Sequence, residues 1–178
     1  SPTSTSTRTP VAPEAVPEAG AAVRRADLTS STDVLALCSL RWEWRLDRGE
    51  RPPNPRPVFE HDFTEWCAQH AATHRAFLAE IGGDGVGMAW YGVYDRVPEP
   101  EHWIRRSGSV QSVYVTPSAR EAGIGATLIG ALLVHAAAEG LDHLLLHPTD
   151  RSAPLYRRLG FAPRGQAMEI DLRALPSY

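Results

Sequence analysis

One arginine and two glycines stand where the sequence changes from strand-like to helical. The segment SAREAGIGATL, residues 118–128, follows the alternating run SVQSVYVT and leads into the small, apolar pattern ATLIGALLVHAAAEG. Each glycine lowers helix propensity by about 1 kcal/mol relative to alanine, so a compensating interaction is expected. A helix start offers free N–H groups and a positive dipole end, and glycine lets an anion approach that backbone closely. The pattern predicts a pyrophosphate site to which Arg120 adds a charge.

A turn with two glycines is compatible with several structures. A sharp strand-to-helix turn with a solvated arginine is the commoner meaning of an isolated pair of glycines. A P-loop would need Gly-Lys-Ser/Thr, which is missing. A dinucleotide fingerprint would need a third small residue where Leu128 stands, and the stretch TPSAREA is too long for its tight turn. Coenzyme A is the remaining pyrophosphate carrier.

Two motifs carry a family resemblance. The stretch VYVTPSAREAGIGATL resembles the acetyl-CoA motif of the GNAT acyltransferase superfamily, with Arg120, Gly123 and Gly125 at its three defining positions. The later stretch PLYRRLGF is similar to the second signature of the family, a Leu-Tyr pair followed by Leu-Gly-Phe, and its Tyr156 comes 31 residues after Gly125. The resemblance is strong over residues 109–161 and looser from about 22 to 172.

The resemblance implies an acetyl-CoA-dependent N-acetyltransferase, with acetyl-CoA as co-substrate. The strand before the turn would pair with the pantetheine amides, and the turn would hold the pyrophosphate. The cofactor-binding residues implied in this way are Val113, Tyr114, Val115, Arg120, Glu121, Ala122, Gly123, Ile124, Gly125 and Ala126. Many members carry an asparagine before the tyrosine of the second motif, where this chain has HPTDRSAPLY, which leaves Thr149 or Ser152 to make its contacts.

The implied reaction is direct attack of a neutral primary amine on the thioester. A lysine-like amine has a pKa near ~10 and must lose a proton, and the developing oxyanion needs a donor, expected to be a backbone N–H near Val115. Tyr156 is the predicted catalytic residue, placed near the thioester sulfur. Full proton transfer from a phenol to a thiolate is uphill by roughly 2 kcal/mol, so a hydrogen bond is the expected contribution. From its pattern alone, Tyr156 is more often a core aromatic.

The general base and the acceptor stay open. Acidic residues beside Trp42 and Trp44 favour a cationic or aromatic amine, but a peptide and many small-molecule amines fit equally well. A solvated helix charge is the ordinary role of each candidate acid. The candidates for the base are Glu43 on the first predicted helix, Glu60, His61 and Asp62 on the second, and a water ordered by Gln111 and Ser112.

Histidine and cysteine give no pattern for a metal site, and none is predicted. His70 and His74 have helical i, i+4 spacing on the second predicted helix, but no third ligand is evident. Cys38 and Cys67 are too few and too far apart for a disulfide framework, so both are expected to be reduced thiols in a cytoplasmic protein.

Composition narrows the class of protein further. A length of 178 residues suits one domain, predicted here at residues 21–178 after a disordered tail at 1–20 that is rich in Ser, Thr, Pro and Ala. The net charge of −3 provides no broad field for nucleic acid, and no apolar stretch approaches the length of a membrane span. A homodimer is compatible with the family.

The element order predicted from the pattern is β-α-α-β-β-β-α-β-α-β, a mixed α/β (α+β) domain. The resemblance implies a mostly antiparallel twisted sheet with one splayed parallel pair and flanking helices. Strands are predicted at 22–26, 76–81, 86–94, 109–116, 142–147 and 166–172, and helices at 31–48, 58–75, 124–139 and 152–160.

Three functions compete at this point. The first is catalysis of N-acetyl transfer, which the presence of Tyr156 favours. The second is a non-catalytic acyl-CoA-binding or regulatory domain of the same fold, which the missing base keeps open. The third, a nucleotide-phosphate binder unrelated to CoA, is weak without the Lys-Ser/Thr of a P-loop.

Overall fold

Among the described residues, five strands form one sheet whose spatial order, β1-β2-β3-β4-β5, follows the chain. The computed structural model describes residues 20–165 and residue 173. The first three strand pairs are antiparallel and the last, β4 with β5, is parallel. The strands are β1 (Ala22–Arg25), β2 (His74–Ile81), β3 (Asp84–Asp95), β4 (Arg106–Val115) and β5 (His143–Leu145). The predicted mixed α/β class is confirmed.

Helices occupy both faces of the sheet. A 3-10 turn at Pro117–Ala119 follows β4, and the helix after it makes the crossover that a parallel strand pair requires. That helix ends before Gly140, whose φ of +73° lies in the left-handed region that glycine tolerates. The helices are α1 (Ser31–Asp47), α2 (Arg56–His70), α3 (Ile124–Ala138) and α4 (Ala153–Arg158).

The hairpin between β2 and β3 closes as its glycines predict. Ile81 pairs with Asp84, so Gly82 and Gly83 form the two-residue loop. Their φ angles of +61° and +91° fit a turn that needs left-handed backbone at both central positions.

The second predicted helix differs from the structure at both ends. It begins at Arg56 rather than 58, because Pro57 is tolerated in a first turn, where its missing N–H has no intrahelical partner. It ends at His70, and His74 instead opens β2, where it pairs with Gly92. The predicted i, i+4 helical relation of His70 and His74 is therefore wrong, since strand pairing outcompetes helix extension.

The predicted tail and the strand predicted at 166–172 lie outside the described residues, apart from Gly20 at the end of the tail.

Alternation along the strands divides the core between the two faces of the sheet. Ala76 and Leu78 of β2 pack with Leu37 of α1 and Phe63 of α2 in one cluster. The intervening Phe77 and Ala79 pack in a second cluster, whose largest fully buried members from β3 and α3 are Tyr91, Leu128, Ile129 and Leu132. Successive strand residues point to opposite faces, so each face receives its own helices.

A carboxylate at the end of α3 ties this helix to the sheet. The hydroxyl of buried Tyr91 donates to Glu139 Oε2 at 2.8 Å, and Arg75 Nε donates to Oε1 at 2.8 Å. Burial raises the pKa of Glu139, but the hydrogen bonds from Tyr91 and Arg75 outweigh it and hold this pKa below the ordinary 4.5. The folded state therefore favours the charged carboxylate.

The substitution Glu139→Gln is expected to reduce the free energy of unfolding at neutral pH by about 1–3 kcal/mol, because charge-assisted hydrogen bonds are lost. A folded-state pKa below 4.5 means that this stabilisation is present above 4.5 and is lost as pH falls through the lowered value. Urea unfolding of both proteins at about pH 7 and about pH 3 measures the effect. The difference should shrink at the lower pH, and an equal difference at the two would contradict the argument.

Candidate functional site

The sheet opens between its two parallel strands. Residues Ser107–Ser109 of β4 pair with His143–Leu145 of β5, and this pairing stops there. On its other side β4 stays paired with β3 as far as Val115. Within residues 20–165, no strand therefore pairs with the β5 side of Val113–Val115, the segment predicted to bind pantetheine. An extended amide chain can add to a free strand edge of this kind.

A β-bulge marks the point where the strands separate. Trp90 pairs with Ser112 and Tyr91 with Val110, which leaves Gln111 as the extra residue on β4. Beyond the bulge, Tyr114 packs in the cluster shared with α1 and α2, whereas Val113 packs in the cluster of α3. Bulges re-aim side chains and are frequent beside functional sites.

The glycine turn leaves a run of backbone donors without partners. Glu121 and Gly123 have left-handed φ angles of +69° and +75°, and Ile124 begins α3 with no side-chain cap. In the described chain, no backbone or side-chain acceptor meets the N–H groups of residues 121–126. Left-handed residues next to right-handed ones make N–H groups converge into a concave anion site. Glu121 is the one described residue other than glycine with a positive φ, a strained conformation typical of functional sites.

Contacts with β4 and α1 fix the side chain of Arg120 at this turn. Its Nε donates to the carbonyl oxygen of Val115 at 3.1 Å, and Nη2 pairs with the carboxylate of Asp47 at the end of α1. Its guanidinium carbon also lies 5.9 Å from the ring centroid of Tyr114. These contacts fasten the turn to α1 and β4. An anion in the turn would compete with Asp47 for the same guanidinium.

Tyr156 lies on α4, directly beside the start of α3. A Cβ added to Gly125 would lie 3.7 Å from Leu155, which places the two helices in contact. The Tyr156 ring is 9% exposed and packs edge-on against Phe161 at 5.6 Å. Its hydroxyl makes no hydrogen bond with any described residue, and burial raises the pKa of the phenol. The structure thus places a phenol without a described hydrogen-bond partner on the helix whose Leu155 lies against Gly125.

Thr149 and Ser152 form the turn that introduces α4. Their hydroxyl oxygens are 3.1 Å apart, and the Thr149 N–H donates to Ser152 Oγ at 3.0 Å. These contacts position the helix that carries Tyr156. Whether either residue replaces the family's asparagine stays a prediction.

A cavity of about 390 Å³ lies on the opposite face of the sheet, between α1, α2 and the bulge. Three residues of each helix face it at helical spacing, and three strand residues close its floor. They are Arg41, Trp44 and Arg45 of α1, Phe59, Phe63 and Trp66 of α2, and Trp90, Gln111 and Ser112 of the strands. Its volume and aromatic walls suit a small molecule.

The predicted acids do not face this cavity. Glu43, His61 and Asp62 are exposed, and Glu60 accepts from Arg56 at 2.7 Å. Phe59, Phe63 and Trp66 of α2 line the cavity, and residues 60–62 do not. Gln111 and Ser112, the two residues predicted to order a water, do line the cavity.

Sequence reasoning missed Arg41, although a signal was present. Arg41, Trp44 and Arg45 recur at i, i+3 and i+4, opposite an aromatic stripe with the same type of spacing. The acidic residues beside the tryptophans suggested a cationic acceptor, but the charged residues that line the cavity are arginines. The expectation of aromatic contact agrees with the cavity walls.

His74 stands next to the same cavity. Its Nε2 lies 3.4 Å from the Gln111 side-chain nitrogen, and its ring packs edge-on against Trp66 at 4.8 Å. Burial lowers the pKa of His74 below 6.5, and the neighbouring His70 and Arg75 lower it further. The imidazole is therefore predominantly neutral at pH 7 and able to accept a proton.

Three further features of the described residues bear on a metal site, on reactive thiols and on a membrane-spanning helix. They contain no group of three or more His, Cys, Asp or Glu side chains arranged to hold a metal ion. Cys38 and Cys67 are buried free thiols, and burial raises the pKa of each to about 11. None of the described helices is long and apolar enough to cross a membrane.

The splayed sheet, the uncapped start of α3 and the buried tyrosine together define a domain of the acetyltransferase type. The chain belongs to the GNAT family: the model of the "Acetyltransferase (GNAT) family" matches residues 36–161. This match confirms the family resemblance seen in the two sequence motifs.

Two curated relatives match shorter stretches. A glucosamine 6-phosphate N-acetyltransferase of Trypanosoma brucei brucei is 35% identical over 68 residues, 38% of this chain and 46% of the relative. A mycothiol acetyltransferase of Frankia casuarinae is 39% identical over 90 residues, 48% of this chain and 26% of the relative. The matched stretches span less than half the length of these relatives.

Solved structures share the fold. A predicted acetyltransferase of Clostridium acetobutylicum, crystallised with acetyl-CoA, superposes with a TM-score of 0.69 at 21% identity, covering 86% of this chain and 97% of its own. This similarity confirms the fold that the sequence predicted.

Proposed function

We propose that the chain is an N-acetyltransferase that uses acetyl-CoA and acts on a primary amine by direct attack. The observation that carries the proposal is the continuity of two binding surfaces. The free edge of β4 at Val113–Val115 leads through one 3-10 turn to the unpaired N–H groups of residues 121–126. An extended amide chain that ends in a diphosphate fits both surfaces at once.

Backbone groups of the chain would hold this carrier. The edge of Val113, Tyr114 and Val115 would pair with its amides, and the N–H groups from Glu121 to Ala126 would bind its pyrophosphate. Acetyl-CoA then supplies an activated thioester carbonyl. A backbone N–H near Val115 is the proposed donor to the charge that develops on the carbonyl oxygen.

Tyr156 is proposed to donate a hydrogen bond to the sulfur as it leaves. Its helix abuts Gly125, and its hydroxyl has no other partner among the described residues. Because burial raises the pKa of the phenol, complete transfer of its proton is even less favourable than for a free tyrosine. Stabilisation of the nascent thiolate by hydrogen bonding meets the need.

The proton of the amine is proposed to leave through the bulge. Gln111 and Ser112 order a water at the cavity floor, and the neutral His74 beside Gln111 accepts the proton. The 3.4 Å contact between Gln111 and His74 is long for a hydrogen bond, so a water can compete for the imidazole lone pair.

Binding and turnover separate this proposal from its alternatives. Acetyl-CoA at ~100 times its dissociation constant should add roughly 2.7 kcal/mol of stability, seen as a thermal shift. Release of CoA thiol is then measured across an amine panel. Binding without thiol release would indicate an acyl-CoA-binding domain, and equal shifts by acetyl-CoA and ATP would indicate a nucleotide-phosphate binder.

The substitution Tyr156→Phe is expected to lower kcat by about 10- to 100-fold, because the thiolate loses its donor. The dissociation constant of acetyl-CoA should stay within about twofold, since the ring remains in place. Steady-state kinetics and calorimetry measure the two quantities. Tyr94→Phe, at a half-exposed tyrosine of β3, is the matched control. Unchanged turnover in Tyr156→Phe would remove the phenol from the mechanism.

Two substitutions on the Asp47–Arg120 pair separate direct from indirect roles. Arg120→Ala should weaken CoA binding by about tenfold or more, whether the guanidinium contacts phosphate or only holds the turn. Asp47→Asn should strengthen binding if Arg120 reaches the pyrophosphate, since it frees the charge that Asp47 now neutralises. Calorimetry with CoA measures both. Full affinity in Arg120→Ala would contradict the proposed pyrophosphate site.

The pH dependence of kcat tests His74. If neutral His74 accepts the proton, kcat should fall as pH drops below 6.5 through its lowered pKa. His74→Gln should lower kcat by about tenfold or more and lose this acid limb. The exposed His102 provides a control, because His102→Gln should keep both the rate and the limb. Persistence of the limb in His74→Gln would assign it to another group.

A further inference from the structure

The aromatic cavity contains a cation that has no counter-ion within the described part of the chain. Arg41 lies on the cavity wall and donates through Nη1 to Ser112 Oγ, its one hydrogen bond to a described residue. No described carboxylate lies within ion-pair distance of it, whereas the neighbouring Arg45 is paired with Glu50 at 2.6 Å. A guanidinium that has lost part of its water and has no anion is in an unfavourable state.

Burial and a neighbouring charge increase this cost for Arg41, and an aromatic ring orients its guanidinium. Burial lowers the pKa of Arg41, and the charge of Arg45 lowers it further. The indole ring of Trp44 lies 4.9 Å from the guanidinium carbon and covers one face of the group. This stacking fixes the plane of the guanidinium and leaves its edges for hydrogen bonds.

The unused donors of Arg41 suit one kind of ligand. A planar guanidinium binds a carboxylate or a phosphate through two parallel hydrogen bonds. Ser112 accepts from Arg41, so its own hydroxyl proton can be donated to the same anion. No acidic side chain lines the cavity, and a polycation would meet two arginines there.

We propose that Arg41 and Ser112 form an anion subsite, and that the acceptor is a small primary amine that carries a carboxylate or phosphate group. This inference rests on the proposed function. The aromatic walls contributed by Trp44, Phe59 and Trp66 contact the body of the acceptor. With its anion on Arg41 and Ser112, the amine stands beside Gln111, where the proposed proton route begins.

Matched amines test the subsite. The panel pairs L-phenylalanine with L-phenylalaninamide and O-phosphoethanolamine with ethanolamine, and adds spermidine as a polycation. We expect at least one anionic amine to exceed its uncharged partner in kcat/KM by about tenfold or more. The pair that shows this preference distinguishes carboxylate from phosphate, and spermidine should be the poorest substrate.

Arg41→Gln should bring that ratio close to one and leave the dissociation constant of acetyl-CoA within about twofold. Arg41→Lys, which keeps the charge without the planar fork, should retain part of the preference and guards against a folding defect. Arg48→Gln is the control: Arg48 stacks on Trp44 at 5.4 Å and pairs with Glu50, but it does not line the cavity. This variant should keep the full ratio.

Direct binding makes failure of the subsite distinguishable from failure of the proposed function. Titration with N-acetyl-L-phenylalanine and with phenyl phosphate, followed by tryptophan fluorescence, should show binding that Arg41→Gln weakens by about tenfold. Turnover of amines without an Arg41-dependent preference would overturn the subsite and leave the acetyltransferase standing. Arg41-dependent binding without turnover of any amine would support the anion subsite and contradict the proposed acetyltransferase activity. Absence of both would overturn both.

Discussion

The two surfaces that flank β4 depend on the point where its parallel pairing with β5 ends. Three residues of β4 pair with β5, and no strand of the described chain pairs with that edge at the next residues. Gly108 permits the close approach that comes just before the separation, because a Cβ there would lie 2.7 Å from the Leu144 side chain and 3.0 Å from a backbone oxygen of Gly92. The close pairing of β4 with β5 at Gly108 and the end of that pairing therefore lie within a few residues of each other. In the described chain this edge is free because the pairing of β4 with β5 ends after three residues.

The opened strand also separates two chemical environments. Residues after the bulge send one set of side chains towards α3 and α4, and the alternate set towards α1 and α2. On the first side lie backbone donors and a buried phenol, and on the second lie aromatic rings and an arginine that no described carboxylate pairs with. A reaction between a phosphate-bearing carrier and a separate small acceptor needs two approaches of this kind, which meet at one strand.

Local sequence patterns were sufficient for the type and order of the elements between residues 20 and 165 and for the position of the turn. The glycines at 82 and 83, the alternation in β4 and the Gly123 start of α3 each act within a few residues, so their outcomes can be predicted from sequence. The end of α2 could not be predicted in this way. Residues 71–75 have no strong helix-breaking residue, and the pairing of His74 with Gly92 on another strand decides their conformation.

Long-range partners account for the remaining differences. Arg120 meets Asp47 across 73 residues and Arg41 meets Ser112 across 71, and no spacing rule connects such pairs. The sequence therefore indicated an arginine suited to phosphate without showing that a carboxylate already engages it. The same limit applies to the acceptor cavity, whose arginines are ordinary surface charges until α1 is placed on the sheet.

The Asp47–Arg120 pair has a consequence for the order in which ligands associate. Asp47 is the last residue of α1, and the same helix supplies one wall of the aromatic cavity. If an incoming diphosphate drew Arg120 away from Asp47, it would release the end of that helix, and occupancy on one side of the strand would alter the other. Such coupling is reciprocal at equilibrium. A compulsory sequence of association, with the nucleotide first, would be the kinetic expression of this single ion pair.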